Sequence, residues 1–497
     1  MNAALPHLPA LQVVIPLLGA ILTAFLRRGA LAFAVALAVT WILPFVSAIM
    51  LWQVLASGPI SYAIGGWPPP WGIEYRVDAL NAFVLLLISG VGAAIMPFAR
   101  RSIDFEVAES KEAWFYCIFL LCLAGLLGVT ITGDAFNAFV FLEISSLATY
   151  ALIALGHDRR ALLSAFQYLL LGTIGATFYV IGVGFLYLLT GSLNMADIAV
   201  RLADVPDSQW KTVLVSLAFV TVGLSLKLAL FPLHAWLPNA YAYAPSWVTA
   251  FLAATATKVA VYLLVRFYFS IYGVAFDWRA LPVEEIFIVL SVAAMFIASA
   301  IAVFETDLKR MLAYSSLAQI GYITLGIGLA NEAGLTGGLV HVFNHALMKA
   351  ALFLALGAVF FRVGTVQLGD LAGIGRKMPL TMLAFAIAGF GLVGTPGTSG
   401  FISKWFLAVG ALESGRWPLV FLILASSLIT LIYVGRVLEV AWFRPPSAAV
   451  AHAADPPLSM LLPLLVLAAA TVYFGFDTRL TAEVAATAAH ALIGGLR

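Results

Sequence analysis

The sequence has little charge. Of its 497 residues only 10% are Asp, Glu, Lys or Arg, while 63% are hydrophobic. An average soluble domain carries about 25% charged residues, and no soluble fold of this size hides so much apolar surface. The scarcity excludes a soluble globular protein and leaves an integral membrane protein. Cysteine is nearly absent. The two that occur, Cys117 and Cys122, lie inside one apolar run. That excludes a disulfide framework and a cysteine metal site and leaves two small buried hydrophobes. Long polar linkers and low-complexity tails are missing, so residues 1–497 read as a single transmembrane domain. No phosphate-binding loop, nucleophile triad or cofactor-binding cysteine cluster occurs. No enzyme activity, cofactor, metal or nucleic-acid partner is therefore expected. The first apolar stretch, Pro9 to Leu26, has no basic leader, and Arg27 and Arg28 follow it. A retained first span is expected rather than a signal peptide.

Apolar sequence is what is there in quantity. A membrane-crossing helix needs about 20 apolar residues. With that ruler the chain gives fourteen candidate spans: 5–26, 31–55, 78–98, 112–131, 133–155, 161–190, 212–231, 247–270, 283–304, 309–329, 335–361, 378–410, 417–442 and 458–475. A short amphipathic stretch, Thr481 to Ile493, is expected at an interface or against a partner. Lys and Arg gather on the cytoplasmic side of such proteins. The odd-numbered connections hold fourteen of them, including Arg27, Arg28, Arg159, Arg160, Lys309, Arg310, Arg376 and Lys377. The even-numbered ones hold six: Arg76, Arg201, Lys211, Arg266, Arg279 and Arg416; Arg479 and Arg497 are in the tail. This bias supports the count, and it puts the odd connections in the cytoplasm and both termini outside the cell membrane.

Two spans read as broken. The seventh runs into Phe231-Pro232-Leu233-His234-Ala235-Trp236-Leu237-Pro238, and the twelfth contains Gly394-Thr395-Pro396-Gly397-Thr398-Ser399-Gly400. Proline removes a backbone donor and glycine tolerates unusual dihedrals. Non-helical backbone at membrane depth is tolerated only inside protein or beside a water-filled cavity. Each break has a lysine close by, Lys227 before one and Lys404 after the other. Paired interrupted helices five spans apart point to an inverted-repeat transporter with its site near the midplane.

The remaining Lys and Arg leave four lysines inside spans: Lys227, Lys258, Lys349 and Lys404. A charge at the bilayer centre costs at least ~2.5–3.5 kcal/mol, so such groups are paired, hydrated or both. Glu143 is the only acid near the middle of a span, and by sign and depth it is the partner of Lys227. Withdrawing or neutralising it favours release of the lysine's proton, which makes the pair a switch; a static pair is the alternative, although burying an ion pair is weak support for stability. Lys258 has no acid nearby in sequence and suits a relay, unless it snorkels to the interface. His341, His345 and Lys349 recur every four residues and line one face of a helix. Histidine titrates near neutrality and suits proton relay. The His-x-x-x-His spacing also raises zinc, but the metalloprotease glutamate and a third ligand are missing. Lys349 alternatively lies toward a helix end and snorkels. Ser145, Ser146, Thr257, Tyr314, Ser315, Ser316, Asn344 and Ser399 are candidate bridges.

Glu143, Lys227, the stretch Leu230 to Pro238, Ala244-Pro245, the run Asp307 to Ser316, His341 to Phe353 and Gly394 to Lys404 together resemble the antiporter-like subunits shared by respiratory complex I and the Mrp-type cation/proton antiporters. The resemblance reaches from the fifth span to the twelfth. It implies an all-α membrane fold of fourteen helices, with inverted five-helix repeats at 112–270 and 283–442 and broken helices 7 and 12. It implies that Glu143 and Lys227 form the switch and that Lys258 and the His341/His345 face carry protons to Lys404. Ser146, His234, Lys349, Pro232 and Pro396 are supporting residues. The second break departs from the family pattern, which has another proline. A lysine at 404 is similar to the Mrp D-type subunit. The implied function is a proton-translocating subunit of a sodium/proton antiporter, working with other membrane subunits, protons, sodium and the bilayer. Alternatives are the membrane arm of a complex I-like or hydrogenase redox complex, and the energising subunit of an inorganic-carbon uptake system.

Overall fold

The computed structural model describes residues 5–26, 28–273 and 282–494. Arg27, Arg279 and Arg497, counted above by charge, lie outside the described residues. The chain is an array of helices: α1 (Leu8–Phe25), α2 (Gly29–Ser57), α3 (Ala79–Glu106), α4 (Glu112–Ile131), α5 (Ala135–Ala154), α6 (Arg160–Thr190), α7 (Met195–Leu202), α8 (Trp210–Leu228), α9 (Leu237–Tyr243), α10 (Ser246–Val265), α11 (Val283–Phe304), α12 (Leu308–Gly328), α13 (Glu332–Val363), α14 (Ile374–Lys377), α15 (Pro379–Val393), α16 (Ser399–Glu413), α17 (Pro418–Phe443), α18 (Leu458–Phe476) and α19 (Val484–Gly494). Wider π-helical turns extend α10 through Arg266–Tyr272. Twelve of the described helices are long and apolar enough to cross a membrane. The seventh and twelfth expected spans are interrupted: α8 and α9 flank one break, α15 and α16 the other. The expected tenth span, α12, carries Lys309, Arg310, Gln319 and several serines and glycines, which lower its hydropathy.

Local chemistry sets many of the helix ends. Asp134 caps α5 by accepting from the Asn137 amide at 2.6 Å, and Asp307 caps α12 by accepting from the Arg310 amide at 3.0 Å. Each side chain satisfies an amide that the helix itself leaves unpaired. Gly364 closes the long helix α13 at φ +79°, a left-handed conformation that glycine adopts without strain.

One element is not foreseen by helical patterning. Residues 60–77 form a two-stranded antiparallel ribbon, β1 (Ile60–Ala63) with β2 (Glu74–Val77), in the register Ile60 to Val77 and Ala63 to Glu74. Its buried Glu74 carboxylate accepts from Asn194 at 2.8 Å and Ser61 at 2.5 Å.

The innermost helices are α10, α12 and α13. Every residue of α13 from Gly334 to Val359 is buried, and nearly all of α10 is. The outer helices turn large apolar side chains outward, among them Phe25, Phe45, Leu188, Phe304, Phe443 and Phe476. A helix buried all round by its own chain must satisfy its polar groups inside the protein. The amphipathic C-terminal stretch finds its partner in the same chain: α19 buries Ala485, Ala488, Ala489 and Leu492 and packs on α3 and α13.

The helix ends sort onto two faces. Glu106, His157, Tyr243, Glu305, Lys309 and Gln367 line one common cavity. That face, which holds the connections rich in Lys and Arg, is termed the basic face below. Arg76, Thr132, Met195, Arg266 and Leu492 line a cavity at the opposite ends of the same helices. The cap of α5 forms an isolated bridge with the segment after α6 (Asp134 with Asn194), and the cap of α12 does the same with the segment after α13 (Asp307 with Gln367).

Candidate functional site

The first break positions Lys227. Helix α8 ends one residue after it, and Ala229 takes the left-handed conformation at φ +61°. The Trp236 indole N–H donates to the freed Leu226 carbonyl at 2.9 Å, and its ring stacks on Tyr168 at 3.8 Å. That brace leaves the Lys227 amine pointing at α5. Its Nζ donates to Ser146 Oγ at 2.6 Å and lies 3.4 Å from Glu143 Oε1. The lysine is buried, while the Glu143 side chain is 25% exposed. The expected pair is thus formed, with Ser146 as its third member. Its two ends differ: the cation is enclosed and the carboxylate reaches the protein surface.

His234 does not join the pair. It stacks on Phe231 at 5.2 Å within the break, and Pro232 is exposed.

Lys258 sits in the middle of α10 and is buried, so it does not snorkel. Its amine donates to the Ala253 carbonyl and to Thr257 Oγ1, the latter at 3.3 Å. His341 and His345 lie on α13 with rings nearly parallel, 5.9 Å between centroids. Both nitrogens of His341 are engaged, Nδ1 with Ser403 at 2.8 Å and Nε2 with Gln319 at 3.0 Å. Neither nitrogen of His345 has a hydrogen-bond partner among the described residues. Buried polar groups in folded proteins are satisfied by protein or by ordered water. Water beside His345 is the connection that a relay between Lys258 and His341 requires. Lys258 and Lys349 both lie within electrostatic reach of this ring.

Lys349 is fully buried, which overturns the snorkelling alternative. Its amine donates to the Leu312 carbonyl at 2.8 Å and to Ser315 Oγ, both on α12.

The second break holds Lys404. Helix α15 ends at Val393, and the Lys404 amine donates to its last carbonyls, Leu392 and Val393, at 2.9 Å each, and to Ser427 Oγ on α17 at 2.8 Å. The ammonium also lies 4.4 Å from the centre of the Tyr322 ring. A cation at a helix C-terminus complements the helix dipole, and the aromatic face adds to that. Gly394 makes the approach possible: its φ is +84°, and a Cβ there would meet the lysine stem at 2.8 Å. Pro396 is exposed beside it. Asn344 ties α13 to this break by donating to the Ser399 carbonyl at 2.6 Å.

Of the candidate bridges, Ser146, Thr257 and Ser315 bond to lysines. Ser145 and Ser316 bond instead to backbone carbonyls of their own helices. Gln319, Tyr322, Ser403 and Ser427 are missing from the sequence reading. Ser403 had a signal in standing next to Lys404. The others are brought in by packing between helices far apart in sequence. The arrangement can hold a proton at each of several amines and imidazoles and pass it between them over short, water-bridged steps.

Known proteins share this arrangement of the chain. A relative named for the N subunit of NADH-quinone oxidoreductase, from Desulforudis audaxviator (strain MP104C), is 42% identical over 494 residues, covering 96% of this chain and 97% of the relative. The D-type Na(+)/H(+) antiporter subunit of Alkalihalophilus pseudofirmus is 30% identical over 472 residues, covering 95% of this chain and 94% of that protein. A chain of the Mrp complex from Dietzia sp. DQ12-45-1b superposes with a TM-score of 0.88 at 28% identity, covering 99% of both chains. The family model described as NADH:quinone oxidoreductase/Mrp antiporter, transmembrane, matches residues 132–430, more than half of the sequence. This multi-pass membrane protein belongs to the NADH:quinone oxidoreductase/Mrp antiporter family.

Proposed function

We propose that the chain is the proton-translocating subunit of a multi-subunit Mrp-type Na+/H+ antiporter, a transporter subunit rather than an enzyme. The observation that carries the reading is the row of buried titratable groups joining the two breaks. In it Glu143 and Lys227 are the switch, Lys258, His345 and His341 the relay, and Lys404 the far-end proton site. The matching caps and bridges at Asp134 and Asp307, on opposite faces, support inverted repeats at 112–270 and 283–442 within one transmembrane domain of fourteen spans. The charge bias supports a cell-membrane location with the basic face in the cytoplasm and both termini outside.

Subunits named for Mrp antiporters supply the sequence relative and the structural neighbour that support this reading. The greater identity to a protein named for NADH-quinone oxidoreductase favours a second reading, a proton-pumping membrane arm of a redox complex. Purification with partners intact separates the two. For the antiporter, small membrane subunits copurify, and an imposed sodium gradient drives proton movement in proteoliposomes. Copurifying iron–sulfur proteins, with no sodium-driven proton movement, would overturn the antiporter reading in favour of the redox one.

A further inference from the structure

Lys309 was counted among the basic residues of a connection, yet it is only 5% exposed. It stands on the first turn of α12, at the floor of the cavity on the basic face, which has a volume of about 430 Å³. Its amine points at the Ala244 carbonyl, 3.5 Å away where α9 ends, and lies 5.2 Å from the centre of the Phe360 ring on α13. Glu106 and Asp307 are within electrostatic reach, and Glu106 is itself anchored by the Ser246 amide at 2.9 Å. The fold does not require a cation here. Counted from the matching caps, two residues past Asp134 stands Phe136, whereas two residues past Asp307 stands Lys309. The charge is peculiar to the half of the protein that opens to the basic face.

One helical turn of α12 is about 5.4 Å. One turn deeper than Lys309 lies the Leu312 carbonyl, and after it Ser315; together these two hold the Lys349 amine. Another turn along α13 is His345, with both ring nitrogens open to water. A line of titratable groups therefore descends the seam between α12 and α13 from the cavity to the midplane row.

We propose that this seam is a proton port, in which Lys309 exchanges protons between the basic-face cavity and the row by way of Lys349. A proton from cavity water binds the lone pair of a neutral Lys309 amine. Passage along bridging water to the Lys349 amine returns Lys309 to its neutral form. The port gives Lys349 a role that the path from Lys227 to Lys404 does not, and it rests on that path existing.

The test uses the intact complex in proteoliposomes, with Lys227→Ala as the control for the path itself. Lys309→Gln and Lys309→Arg both slow proton transport at least about tenfold, because an arginine keeps the charge but does not release its proton. Lys309→His, which titrates near neutrality, restores most of the rate. An arginine variant as fast as wild type would make Lys309 a charge clamp on Ala244 and overturn the port, as would a histidine variant no faster than the glutamine one. If Lys227→Ala is silent and the Lys309 variants transport normally, only the port fails; if Lys227→Ala transports normally, the path itself fails. Should the Lys309 variants not assemble, Thr306→Cys and Thr365→Cys line the same cavity and leave the lysine untouched. A membrane-impermeant thiol reagent applied from the basic face labels both, and absence of labelling would overturn the port.

Discussion

Replacing Glu143 by glutamine or Lys227 by alanine abolishes coupled transport while the complex still assembles. Lys227 has two partners in the structure, Ser146 at 2.6 Å and Glu143 at 3.4 Å. Only the second changes the cost of carrying charge at membrane depth, which is at least ~2.5–3.5 kcal/mol. Glutamine keeps the shape and a hydrogen-bonding oxygen but removes the negative charge, so the lysine loses the group that holds its proton. Alanine at 227 removes the proton site outright. Positioned proton transfer contributes about 10²–10⁴-fold, so sodium-driven proton flux in proteoliposomes falls at least about 100-fold in each variant. The partial exposure of Glu143 matters here. A carboxylate at the protein surface can be reached by a neighbouring subunit, so the switch can respond to that subunit's state. Unchanged flux in an assembled Glu143→Gln complex would leave the pair as a static brace.

Lys404 yields the other large effect. All three of its donors are committed, to Leu392, Val393 and Ser427. Alanine there removes the last titratable amine of the second half and leaves two α15 carbonyls unpaired at the break. Arginine keeps the cation at the helix end and does not release its proton. Both variants therefore lose coupled flux by about 100-fold or more, while the arginine variant retains more thermal stability in detergent than the alanine one. Stability measured beside flux separates the structural share of the lysine from its share in proton transfer. An arginine variant with wild-type flux would remove Lys404 from the path.

Much of this was legible in the sequence, for a physical reason. Charge in an apolar run is costly, so Lys227, Lys258, Lys349, Lys404 and Glu143 stand out without any structure. Proline and glycine mark both breaks because they are what a helix rejects. Helical periodicity put His341, His345 and Lys349 on one face, since residues four apart on a helix are neighbours. Periodicity says nothing about which helices touch. That is why Gln319, Ser427 and Tyr322 were missed. Each is a plain polar residue in a helix until α12, α13, α16 and α17 come together around His341 and Lys404. Lys309 misled in the opposite direction. Standing beside Arg310 at the edge of a span, it read as a loop charge, and only the packing of Ala244 and Phe360 over it makes it buried. The ribbon at residues 60–77 escaped because both strands are shorter than one span, where hydropathy carries no signal.

The row between the breaks is tested most directly by proton flux through the assembled complex carrying Lys258→Ala together with His341→Ala. Either change alone leaves one of the two connecting groups, Lys258 beside His345 or His341 between Gln319 and Ser403. The double variant interrupts both. Lateral passage through this chain requires its sodium-driven proton flux to fall at least about 100-fold with every partner subunit still present. Wild-type flux in the double variant would contradict a path through these residues.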